Sequence, residues 1–164
     1  MNIVDGYIDH AGLKHIKPND KLASKLANYR IKNGDLLITK SGAPFKISVA
    51  DVQDNQTLIA NDNMFVIEID EEKGNPYFFR AFFESEKGRR LLNSAAVGSV
   101  LKMISAEAVR KLPVPDVPLY EQQKIANELK EITNDLRERT ARYNRTAARL
   151  RQKASHVCEE WNDE

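Results

Sequence analysis

Leu112-Pro113-Val114-Pro115-Asp116-Val117-Pro118 divides this chain into two parts built on different rules. Prolines remove backbone donors and push the residues before them into extended conformations, so this stretch cannot be regular helix. It reads as an extended connector. All seven glycines lie at or before Gly98 and all six prolines at or before Pro118. The expectation is a globular domain over residues 1–118, followed by a long helix over 119–164.

Downstream of the connector, apolar residues recur at Ile125, Leu129, Ile132 and Leu136, steps of four and three that make a heptad seam. Arg139 takes the next seam position. Tyr143 follows in frame, the four-residue step from Tyr143 to Ala147 then shifts the frame, and Leu150, Ala154, Val157 and Trp161 continue the seam. At 1.5 Å per residue such a helix is roughly 60 Å long, more than a domain of this size can cover. The seam therefore needs a second helix, from another copy of the chain or from another protein. Charge is segregated along the same helix. From Arg137 to Lys153 seven cations face one anion, Glu138, while Glu159, Glu160, Asp163 and Glu164 close the chain. Such a run serves as a solvated face, an interhelical pairing set, a phosphate contact or a docking face for an acidic partner.

Upstream, Asp35-Leu36-Leu37-Ile38-Thr39 has the continuous apolar character of a buried strand, introduced by a turn at Asn33-Gly34. Ile47 to Val52 and Met64 to Ile69 read as further strands. Asn75-Pro76 opens a helix, with Asn as cap and Pro in the first position, and Phe78, Phe79, Phe82 and Phe83 follow as a stripe that packs it on the sheet. Gly88 is placed at the end of that helix, with a second one from Arg89 to Ala96. A turn and strand are expected over Gly98–Ile104, and a short helix capped by Ser105 runs through Lys111. The class is α+β: a globular mixed-sheet domain followed by a long coiled-coil-forming C-terminal helix.

Composition narrows the function. The chain has 164 residues with 25 Lys+Arg against 24 Asp+Glu, which speaks against a uniformly basic nucleic-acid binder but leaves local placement open. Apolar runs are too short to span a bilayer, and no signal-peptide pattern opens the chain, so no membrane role is expected. A single cysteine, Cys158, cannot form an internal disulfide, which points to a reducing cytoplasm.

No catalytic constellation emerges. Helix capping accounts for Asn75-Pro76-Tyr77-Phe78, and Glu71-x-Lys73 with Asp62 is an acidic–basic combination that chance supplies freely in a chain with 30% charged residues. His156 and Cys158 are two apart on a helix and face different directions; no zinc spacing is present. No catalytic residue, metal or cofactor is therefore assigned. Binding is the better reading. Lys40-Ser41-Gly42-Ala43-Pro44-Phe45-Lys46 and Gly98-Ser99-Val100-Leu101-Lys102 combine small-residue turns with lysines, a pattern that offers N–H, hydroxyl and ammonium donors to phosphate. The candidate DNA contacts are Lys40, Ser41, Gly42, Lys46, Ser99 and Lys102. Lys14, His15 and Lys17 form a weaker basic cluster, and Asn61, Asp62 and Asn63 have the chemistry to meet base edges. The candidate partner seam is Ile125, Leu129, Ile132, Leu136, Tyr143, Leu150 and Val157.

Taken in order, four strings resemble the specificity subunit of type I restriction-modification systems. They are Gly34-Asp35-Leu36-Leu37-Ile38-Thr39-Lys40-Ser41-Gly42; Asn75-Pro76-Tyr77-Phe78-Phe79 with Glu84-Ser85-Glu86-Lys87-Gly88; Gly98-Ser99-Val100 with Leu112-Pro113-Val114-Pro115; and Pro118-Leu119-Tyr120-Glu121-Gln122-Gln123-Lys124-Ile125-Ala126. The likeness is clear over residues 20–136. It implies a target-recognition domain on a spacer helix that reads one part of a two-part sequence in double-stranded DNA and catalyses nothing. It further implies a methyltransferase subunit that itself binds S-adenosylmethionine and modifies adenine, and in some systems a restriction subunit. The usual subunit carries two such units with antiparallel helices. This sequence shows one, and lacks the aromatic segment that usually opens the domain. The single unit fits a natural half-subunit, a truncated gene product or a trimmed piece of a longer chain; a half-subunit would restore the pair by homodimerising through its helix. The alternative is a degenerate recognition domain that binds methyltransferase or other specificity subunits without reading DNA.

Overall fold

The computed structural model describes residues 3–17, 19 and 26–162, with side chains as far as Cys158. Trp161 of the expected seam and the acidic side chains of Glu159, Glu160, Asp163 and Glu164 lie outside that description.

The apolar run that reads as a buried strand is the centre of the largest sheet. β4 (Leu36–Thr39) lies between β5 (Ile47–Val49) and β7 (Met64–Ile67), antiparallel to both. Leu37 is opposite Ser48 on one side and Val66 on the other. Because side chains alternate across a strand, Leu37 serves one face while Leu36 and Ile38 serve the other, and both faces are covered. Leu37 packs with Ile3, Ile8, Ile31, Leu58 and Met64. These come from the small antiparallel pairs β1 (Ile3–Val4) with β2 (Tyr7–Ile8), and β3 (Arg30–Ile31) with β6 (Leu58–Ile59), together with β7. Leu36 and Ile38 pack with Phe45, Ile47, Val49, Phe83, Leu92 and Ile104. Burial on both faces is the reason the run shows no polar alternation. The expected strands at 47–52 and 64–69 are real but shorter than their apolar patterns.

α1 (Pro76–Glu84) begins as its sequence dictates: Asn75 Oδ1 accepts from the Tyr77 N–H at 2.9 Å, and Pro76 fills the first position. Phe78 and Phe83 are buried, and Phe79 and Phe82 half-buried. The aromatic stripe is core. Gly88 does not end this helix. Ser85 closes α1 and caps α2 (Glu86–Ala95), donating to the Phe82 carbonyl at 2.6 Å and accepting from the Gly88 N–H at 3.2 Å. Gly88 is buried in the first turn of α2, where a Cβ would run into the Phe82 carbonyl oxygen and Phe83 Cα. Glycine is there so that α2 can turn back closely on the end of α1.

The expected strand over Gly98–Ile104 is a loop, closed by a single bridge in which Val97 and Met103 exchange both backbone bonds at 2.8 Å. Ser105 Oγ then caps α3 (Ala106–Arg110), accepting from the Ala108 N–H at 3.1 Å. The connector 112–118 carries no regular structure, and α4 (Leu119–Asn162) follows.

The first turns of α4 are fastened to the domain by two glutamines. Gln122 is buried; its Nε2 donates to the Val117 carbonyl at 2.8 Å and its Oε1 accepts from the Asn75 N–H at 2.9 Å. Gln123 Oε1 accepts from Asn75 Nδ2 at 3.0 Å, and Ala126 is buried one turn on. The residue that caps α1 is thus held by α4. The first compact unit accordingly runs to Lys130, and the second is Glu131–Glu164.

Candidate nucleic-acid interface

Two loops expected to contact phosphate are far apart in sequence and meet in space. The Gly42 N–H donates to the Lys102 carbonyl at 3.1 Å, the Ile104 N–H to the Lys40 carbonyl at 2.9 Å, and Ser41 bridges to Met103. A third loop joins them: Ser41 Oγ donates to Asn63 Oδ1 at 2.8 Å, and the Lys40 N–H to the Asn63 carbonyl at 3.0 Å. Asn61 Oδ1 accepts from the Asn63 N–H at 3.2 Å and shapes that turn. Lys40, Ser41, Gly42, Lys102 and Asn63 therefore share one surface, with Ser99 exposed on the loop above Lys102. The Asn63 amide NH2 makes no hydrogen bond among the described residues and is free to donate outward.

Charge at this surface is local. Lys40, Lys46 and Lys102 stand against one anion, Asp62, within residues 40–46, 61–63 and 97–103. Lys40 Nζ rests 5.2 Å from the centre of the Phe65 ring, which orients the ammonium at the loop without neutralising it. Lys46 is placed differently. Its Nζ donates to the Ile3 carbonyl at 3.1 Å, and Ile3 belongs to the core on the opposite sheet face from Phe65. The two lysines of the one loop thus part company. Lys14, His15 and Lys17 are exposed on an irregular segment.

The discounted Glu71-x-Lys73 pair gains nothing from the geometry. Glu71 is exposed in a turn where Lys73 pairs with Asp70 at 2.7 Å. That contact lowers the Asp70 pKa and raises that of Lys73. No group of three His, Cys, Asp or Glu residues suited to a metal ion occurs among the described residues.

One feature of the surface escaped the sequence reading. Val100, Leu101 and Met103 fall in the expected turn and strand, yet they are 99%, 56% and 50% exposed, and Val97 just before them is 73% exposed. Only the bridge that turns the segment into a loop reveals this. Along α4 the residues Ile125, Ile132, Leu136, Tyr143, Leu150 and Val157 are exposed, and Leu129 is half-buried. Among the described residues no helix is long and apolar enough to cross a membrane.

The family model of the type I restriction modification DNA specificity domain matches residues 5–143. The chain belongs to this family. No curated protein matches it. The match takes in all three loops of the surface, both glutamines that seat α4 and the seam as far as Tyr143.

Proposed function

We propose that the chain is the sequence-reading, non-catalytic module of a type I restriction-modification complex. The observation that carries this reading is the meeting of Lys40, Ser41, Gly42, Lys102 and Asn63 on one surface within a DNA specificity domain. Lys40 and Lys102 supply charge to phosphates, the backbone and hydroxyl of Ser41, Gly42 and Ser99 fix register, and the Asn63 amide meets a base edge. Lys46 contributes only on releasing the Ile3 carbonyl. The module works in the cytoplasm and places a methyltransferase subunit on its target. That subunit binds S-adenosylmethionine and performs the adenine chemistry, and a restriction subunit joins where cleavage follows. Residues 1–118 act as the reading head and 119–164 as the spacer helix. The seam Ile125, Leu129, Ile132, Leu136, Tyr143, Leu150 and Val157 pairs with the same seam of a second copy, giving a two-fold scaffold and a two-part target.

A salt titration of duplex binding tests the reading. Neutralised phosphates make log affinity fall with log salt by roughly 0.9 per contact. Lys102→Ala should weaken binding to all duplexes alike and reduce that slope by about one. Absence of binding at low salt, with the methyltransferase subunit present, would defeat it.

A further inference from the structure

We infer that the apolar tip Val100–Leu101 is a base-contacting element of the DNA surface, on a loop joined to the lysines assigned to phosphate; this rests on the DNA-reading function proposed above. Val100 is 99% exposed, on a loop that is not loose. Its stem is held by the paired Val97–Met103 bonds, by Gly42 on the Lys102 carbonyl and by Ile104 on the Lys40 carbonyl. The turn itself is fixed at Gly98, where φ is +106° and a Cβ would strike the Leu101 carbonyl oxygen. An apolar side chain held fully in water gains nothing for the fold. Its contribution comes when a partner covers it.

Charge and size decide what that partner is. The tip shares its loop with Lys102, and its stem is bonded to the Lys40–Gly42 loop, whose Ser41 and Lys40 are bonded in turn to Asn63, so a partner that covers Val100 lies against loops that carry cations and donors. A seven-residue loop offers much less than the roughly 800 Å² per side of a stable protein interface. Duplex DNA matches both demands: phosphates for the lysines, and an apolar base surface for the tip. That surface is either a thymine methyl in the major groove or a partly unstacked base step.

The test uses the full chain with its methyltransferase subunit and a duplex enriched from a randomised pool. Val100→Ala/Leu101→Ala, both at exposed positions, should bind that duplex about tenfold to a hundredfold more weakly, with an unchanged salt slope. Methyltransferase binding should be intact. Replacing thymine by uracil in the duplex then weakens the wild type and not the variant if a methyl is contacted. Enhanced 2-aminopurine fluorescence, with the wild type only, marks an unstacked step. Equal affinity of variant and wild type overturns the inference, as does a variant that keeps its DNA affinity and loses the methyltransferase subunit, which would make the tip a protein contact. Failure of the wild type itself to enrich any sequence would sink the DNA-reading function and the inference together, a result distinct from failure of the variant alone.

Discussion

Asp35 precedes the central strand and is buried while its Oδ2 accepts from the Lys32 N–H at 2.7 Å. Burial is the largest influence on its carboxyl and holds the pKa above the ordinary carboxylate value, although the Lys32 N–H opposes it. A raised pKa in the folded chain means that the ionised group is less at home there than in the unfolded chain. Ionised Asp35 therefore lowers stability at neutral pH, and that cost fades as pH falls through the raised folded value towards the ordinary one. Asn at this position keeps an oxygen for the Lys32 N–H and has no charge to bury. The Asp35→Asn variant should be more stable relative to wild type at pH 7 than at pH 4, read from urea midpoints at the two pH values. A difference that grows on acidification would show that the bond to Lys32, not burial, sets the carboxyl. The sequence displays Asp35 beside an apolar run but gives no measure of how deep it lies; that depends on the Ala50 segment folding back across it.

At the scale of elements, Gly88 shows where sequence punctuation is ambiguous. Ala in place of Gly within an ordinary helix gains about 1 kcal/mol. Here the methyl would collide with the Phe82 carbonyl and Phe83 Cα, so Gly88→Ala should instead cost on the order of 1–3 kcal/mol. A lowered midpoint in thermal unfolding is the expected result, and a raised one would mean α1 and α2 do not approach so closely. A glycine that ends a helix and one that admits a close neighbour look alike in one dimension. The same holds for Val97–Met103, whose apolar residues suit a strand as well as a presented loop. Elements defined by local chemistry were legible: the cap Asn75-Pro76, the cap Ser105, the two-faced strand Leu36–Ile38 and the unbroken helix after Pro118. Gln122 and Gln123 were visible as a motif, but their bonds to Asn75 need a tertiary structure to be seen. The shared surface of Lys40, Lys102 and Asn63 likewise exists only once three loops have been brought together.

For the molecule as a whole, near-zero net charge conceals separate basic regions. The proposed recognition surface gathers its cations from two loops, and α4 holds its own basic run from Arg137 to Lys153. The exposed seam of α4 predicts a dimer in mass-resolved chromatography at tens of micromolar, and a monomer after Ile132→Glu with Leu150→Glu. A wild type that remains monomeric without partners would remove the two-fold scaffold from the account. The most direct test of the central claim is to map adenine methylation produced by the methyltransferase subunit on a mixed duplex pool, with and without this chain. Adding the chain should confine methylation to adenines within one recurring sequence. Identical methylated sites in its presence and absence would contradict it.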